Sequence, residues 1–186
     1  MNEYTLRTLA TRAKAEPSYP NTMFPPSPYY RFLKHLAAEL PARLSVVLGV
    51  CGGGCCLHLC EGHRMGQVVG IDHQFDHPEH IQYIRQNFAN FTFMLGDSVN
   101  SAGDVYKQFG EVDILFVDTI HEYQRTLDEY HAWKPYLSDK AVVCFDDLFR
   151  PGMIDAWNEL PEPKLRLDEL HDGAENGGGF GVIWNA

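Results

Sequence analysis

Two apolar runs in this chain end in aspartate: Asp113-Ile-Leu-Phe-Val-Asp118 and Ala141-Val-Val-Cys-Phe-Asp146-Asp147. Runs of this kind read as strands buried on both faces of a parallel sheet. Such sheets bind ligands beyond the carboxyl ends of their strands. Asp118, Asp146 and Asp147 are therefore expected to gather at the functional edge. Carboxylates at close quarters repel one another unless a cation sits among them, and an all-oxygen donor set suits a hard divalent metal. The competing reading is that these aspartates cap the helices that follow, since Asp is a favoured N-cap. Three of them on two adjacent strand ends favour the metal.

A second constellation is Gly49-Val-Cys-Gly-Gly-Gly54, placed between an expected strand, Leu44–Gly49, and a helix from about Cys55. Glycines at such a junction let the backbone approach a ligand closely. The next strand, Gln67–Asp72, ends in an acidic residue at the usual distance for binding ribose hydroxyls. The plainer readings are a flexible turn for Gly52–Gly54 and a helix cap for Asp72. Counted from Gly49, a Gly-x-Gly-x-x-Gly fingerprint would put Cys51 where the middle glycine admits a pyrophosphate. A nucleoside without phosphates is easier to accommodate.

The elements that must position these residues follow from periodicity. Helices are expected over 2–15 and 29–39, separated by a turn-rich stretch whose prolines between Phe24 and Pro28 forbid a helix. After the first two strands come a helix over 78–87, a strand over 91–96, and a helix near 101–109. The strand ending at Asp118 follows, then a helix with Tyr123, Leu127, Tyr130 and Trp133 on one face. Beyond Asp146 a helix over 151–160 precedes strands over 164–171 and 180–184. Strands alternating with helices imply a doubly wound, Rossmann-like α/β sheet with right-handed crossovers. The last two strands lack a helix between them, so one of them must run antiparallel.

The chain has 186 residues and a formal net charge of −10, the size of one domain with one core. The acidic balance argues against nucleic acid and anionic membrane surfaces as partners. No apolar run is long enough to span a bilayer, and residues 1–6 lack the apolar segment of a signal peptide. A soluble, cytoplasmic protein is the expectation. Cys51, Cys55, Cys56 and Cys60 lack the paired spacing of a zinc site and read as small residues packing a helix. His58, His63, His73, His77 and His80 look like a cluster but lack fixed ligand spacing; they read as solvated, with metal binding as the alternative.

Over residues 44–186 the chain resembles class I S-adenosylmethionine-dependent methyltransferases. That resemblance implies a seven-stranded sheet with an antiparallel final strand. It also implies a single domain over 1–186, with 1–43 as a helical extension covering the site. Cofactor contacts are implied for Gly49, Val50, Cys51, Gly53, Asp72, His73, Asp97, Ser98 and Asp118. More narrowly, Asp113–Tyr123 with Phe145-Asp146-Asp147 is similar to metal-dependent small-molecule O-methyltransferases of the catechol type. In those enzymes the counterparts of Asp118, Asp146 and Asp147 hold Mg²⁺, and the position of His121 supplies a base. The alternative for His121 is a surface or capping histidine. The chain departs from the pattern at Val47, where the family often has an acidic residue, and at Cys51.

The expected reaction is methylation of a hydroxyl on a small molecule such as a phenol, catechol, sugar or natural product; a homodimer is one assembly open to the chain, and the sequence does not fix the oligomeric state. Phe24, Tyr29 and Phe149, with Met23, Tyr30 and Trp157 beside them, are candidates for the substrate wall; core packing is the usual role of such aromatics. A nicotinamide oxidoreductase and a non-catalytic cofactor-binding module are the other two readings.

Overall fold

The computed structural model describes residues 1–17, 23–24, 27–63, 65–171 and 178–185. The alternation read from the sequence becomes β1 (Leu44–Leu48), α3 (Gly54–Gly62), β2 (Gln67–Asp72), α4 (Pro78–Asn87), β3 (Phe91–Leu95), α5 (Ala102–Phe109), β4 (Val112–Val117), α6 (Tyr123–Trp133) and β5 (Leu137–Phe145). Before it lie α1 (Glu3–Ala15) and α2 (Pro28–Glu39), and after it α7 (Met153–Glu159), β6 (Lys164–Arg166) and β7 (Gly181–Trp184). Pro25 and Pro26 of the turn-rich stretch, and residues 172–177 before β7, fall outside the described residues.

The seven strands form one sheet in the order β3-β2-β1-β4-β5-β7-β6. Strands β1 to β5 pair in parallel, whereas β7 runs antiparallel to both of its neighbours, β5 and β6. The expected fold, with its antiparallel final strand, is thus borne out. The chain winds outward from β1 to β3, then restarts at β4 on the other side of β1. That reversal opens a crevice above β1 and β4, where open α/β sheets take their ligands.

Side chains alternate across the strands, so each face builds its own core. Val47, Phe116, Val142 and Cys144 face a layer made by α1, α2, α3 and α4. Val46, Leu48, Leu115 and Phe145 face α5, α6 and α7. Val47, one of the departures from the family pattern, is fully buried in the first of these layers. Cys55, Cys56 and Cys60 are buried free thiols in the same layer, as the packing reading expected.

Three boundaries differ from the sequence reading. β5 begins at Leu137, because Leu137 pairs with Val112 across a register shift that lets the strand continue past Asp139. α7 begins at Met153, because Gly152 takes a left-handed φ of 83° at its N-cap. β6 stops at Arg166: residues 168–170 form a 3₁₀ turn that buries Leu170. That turn, rather than a strand, delivers His171 to the sheet edge.

Candidate active site

The glycine loop is shaped by one contact. Gly49 leaves β1 at φ 84°, and a Cβ there would stand 1.9 Å from the Asp118 carbonyl oxygen. Only glycine permits the two strand ends to approach that closely. Cys51 also lies in the left-handed region, at φ 42°, where a non-glycine residue is strained. Gly53, at φ 78°, is the N-cap of α3.

Asp72 closes this loop from β2. Its Oδ2 accepts hydrogen bonds from the Val50 and Cys51 amides at 2.8 and 3.0 Å, and its Oδ1 accepts from the Gln74 amide at 3.3 Å. The His73 ring is exposed, with Nδ1 3.1 Å from Asp72 Oδ1.

A cavity of about 410 Å³ fills the crevice, lined by Gly49, Cys51, Asp72, His73, Asp97, Ser98, Asp118 and Arg125 among others. The structure therefore brings seven of the nine predicted cofactor residues to one wall. Val50 and Gly53 sit behind it, in the loop backbone.

Arg125, Glu129 and His171 had no signal in the sequence pattern. Arg125 donates to Asp97 Oδ2 at 2.7 Å and to Glu129 Oε1 at 3.1 Å. Glu129 is fully buried and also accepts from the hydroxyls of Ser98 and Thr119. Burial pushes the Glu129 carboxyl above its usual range against these stabilising partners. Asp97 is held below the usual range by the Asn100 amide and then by Arg125. The helix periodicity shows that Arg125 and Glu129 share a face of α6, one turn apart, but not that this face meets the loop after β3.

Asp118, Asp146 and Asp147 lie at the ends of β4 and β5, as expected. The Asp118 carboxyl is pushed up to about 6, by burial first and the negative charge of Asp146 second, against the pull of His121. His121 Nε2 stands 3.1 Å from Asp118 Oδ1 and 3.5 Å from Asp147 Oδ2. Burial works against the charged imidazole, but the hydrogen bond to Asp118 and the two carboxylate charges prevail and raise its pKa. His171 Nε2 meets Asp146 Oδ1 at 2.7 Å, and Arg150 Nε meets Asp147 Oδ2 at 2.5 Å.

This pairing corrects the charge argument made from sequence. Each carboxylate already faces a basic group, so repulsion alone does not require a metal. Among the described residues, Asp118, Asp146 and Asp147 do not bring their ligand atoms within 4.8 Å of one another. The donor set still suits a hard divalent cation in kind: it offers only oxygens, and two of its three pairings are to titratable imidazoles.

The candidate wall residues separate. Tyr29 stacks on His171, with centroids 5.0 Å apart and planes at 20°, and touches Tyr30. Phe149 is half exposed under the Arg166 guanidinium. Phe24 is instead buried below the glycine loop against His80 and Tyr83. Trp157 packs edge-on against Phe145 in the core, and Met23 packs against the opposite core layer. Phe24, Met23 and Trp157 thus take the packing role. Their apolar surface stabilises more when buried than at a solvated rim.

Solved structures share this architecture. The O-methyltransferase TomG from Streptomyces achromogenes, in complex with SAM, superposes with TM-score 0.71 at 15% identity, over 100% of this chain and 92% of that one. The O-methyltransferase from Bacillus cereus in complex with SAH gives 0.68 at 17% identity, over 100% and 92%. The SAH-bound methyltransferase PaMTH1 from Podospora anserina gives 0.66 at 15% identity, over 100% and 97%. Likeness at these identities establishes the fold. No curated protein matches significantly by sequence. The family model described as a methyltransferase domain matches residues 46–148 of the 186, and the chain belongs to that family of class I methyltransferases.

Proposed function

We propose that the protein transfers a methyl group from S-adenosylmethionine to a hydroxyl of a small molecule, with a divalent cation assisting. The observation that carries this reading is the double position of Asp118. It lines the cofactor-sized cavity, and its carboxyl pairs with His121 beside Asp146 and Asp147. A methyl donor bound on the Asp72 side would therefore face an acid–base cluster across a single residue. The solved relatives bound to SAM or SAH support the choice of donor.

The donor arrives activated, so the protein's task is to orient the acceptor and take its proton. The Asp118 carboxylate accepts from His121 Nε2, which leaves Nδ1 as the atom that receives a proton from the acceptor hydroxyl. The neighbouring carboxylates raise the basicity of that ring, suiting it to a hydroxyl of high pKa. Asp118, Asp146 and Asp147 would hold Mg²⁺ once Asp146 and Asp147 turn from His171 and Arg150. The ion would supply Lewis acidity toward the acceptor oxygen. Tyr29, stacked on His171, and the half-exposed Phe149 offer flat apolar surface to a ring-bearing acceptor.

The test is an assay with labelled S-adenosylmethionine against a panel of catechols, other phenols and sugars, with and without Mg²⁺. Turnover that is unchanged by EDTA and by the double change Asp146→Asn, Asp147→Asn would remove the metal from this reading. Binding of NADH without binding of S-adenosylhomocysteine would remove the methyl donor.

A further inference from the structure

Outside the crevice, three side chains at the start of α4 meet. His77, Glu79 and His80 each offer one ligand atom, and these atoms all lie within 4.8 Å of one another. Glu79 Oε1 lies 3.5 Å from His77 Nδ1 and 3.7 Å from His80 Nε2. Donors around a tetrahedral ion with bonds of about 2.0–2.1 Å are separated by about 3.3 Å. The two distances to Glu79 exceed that spacing by only a few tenths of an ångström, and all three atoms lie within 4.8 Å.

His80 is fixed from behind. Its Nδ1 lies 2.8 Å from the Gly52 carbonyl oxygen. A carbonyl only accepts, so Nδ1 carries a proton, which leaves Nε2 as the ring atom that can ligate an ion on the Glu79 side. Histidines that bind metals are commonly set in this way, with the second nitrogen donating to a backbone carbonyl. Phe24 holds the other side of the ring at 5.1 Å. The His77 ring stacks on the His80 ring at 4.9 Å with planes at 16°, so the exposed His77 turns out of this stack when its lone pair meets an ion held by His80 Nε2. His77 and Glu79 are exposed, which leaves an open side for water as a further ligand. A cation at a helix N-terminus meets the positive end of the helix dipole; the Glu79 carboxylate offsets that.

We propose that His77, Glu79 and His80 bind one transition-metal ion of the zinc class, at a site separate from the three aspartates. Two imidazoles and one carboxylate prefer such an ion to Mg²⁺, which keeps to oxygen donors. The site is joined to the glycine loop through Gly52, and it stands whether or not the methyl-transfer reading holds.

The experiment is equilibrium dialysis of tag-free, metal-stripped protein against Zn²⁺, with excess Mg²⁺ present to fill any hard-cation site. The expected result is one zinc per chain in the wild type and in the Asp146→Asn, Asp147→Asn variant. Binding should weaken at least about tenfold in His77→Asn and in Glu79→Gln. Both changed residues are exposed, and Asn is a good N-cap, so folding is not at stake. Absence of stoichiometric zinc in the wild type would overturn the proposal. So would zinc that persists undiminished in either single variant, which would place it elsewhere in the chain.

Discussion

His121 Nε2 and Asp118 Oδ1 are 3.1 Å apart across three residues of chain. The turn that joins them puts His121 at φ 54°, a backbone state in which histidine and asparagine are enriched. The pair is thus built by a local kink at the end of β4, and its charge state is set by burial together with the carboxylates of the neighbouring strand end.

That kink makes His121→Asn the informative change, because Asn keeps the left-handed turn while removing the proton acceptor. Turnover is expected to fall by about 10²–10⁴-fold, the usual worth of a positioned base. The affinity for S-adenosylhomocysteine should change little, since His121 is not on the cavity wall. Steady-state kinetics with calorimetry separates the two. An equal loss in both would assign His121 a structural role.

The cofactor side and the metal side should come apart in binding. Asp72→Ala strips two loop amides of their acceptor, at about 1–3 kcal/mol for each buried donor left unpaired. Binding of S-adenosylhomocysteine should weaken at least about tenfold. Asp146→Asn with Asp147→Asn should leave it within about twofold, because neither residue lines the cavity. Calorimetric titration of both variants checks this; similar losses in the two would mean that the sites are not separate.

Cys51 occupies a left-handed position that glycine takes without strain. Cys51→Gly should relieve about 1 kcal/mol of backbone strain, less the entropy that glycine loses on folding. A Tm unchanged or raised by up to about 2 °C, with cofactor affinity kept or improved, is the expected outcome in thermal unfolding and calorimetry. A fall in both would show that the Cys51 side chain has a role of its own.

The raised Asp118 carboxyl has a defined sign in stability. A group whose folded pKa lies above its unfolded value stabilises at low pH, and that contribution is lost as pH rises through the folded value. For Asp118 the loss runs from about 4 to about 6. The raised pKa of His121 acts in the same direction at higher pH. His35, His58 and His63 have lowered pKa values and act oppositely, so the comparison must be with Asp118→Asn. In EDTA, wild type should lose on the order of 1–2 kcal/mol relative to that variant between pH 4.5 and 7.5, because the partly exposed carboxyl is screened. Denaturant unfolding at the two pH values measures it, and a gain with rising pH would contradict the assignment.

Much of this protein was legible in its sequence because the signals are local. Continuous apolar runs and period-3.6 patterning identified the strands and helices, and two of those runs placed Asp118, Asp146 and Asp147 at strand ends. The glycine run after β1 and Asp72 after β2 marked one crevice, and the missing helix before Phe180 foretold the antiparallel strand. Tertiary structure decided which charges meet. Asp146 with His171, Asp97 with Arg125 and Gly52 with His80 are joined by packing between elements far apart in the chain, and no periodicity encodes such distances. For that reason the sequence suggested a bare carboxylate cluster in need of a cation, whereas the folded chain brings two histidines and an arginine to the same edge.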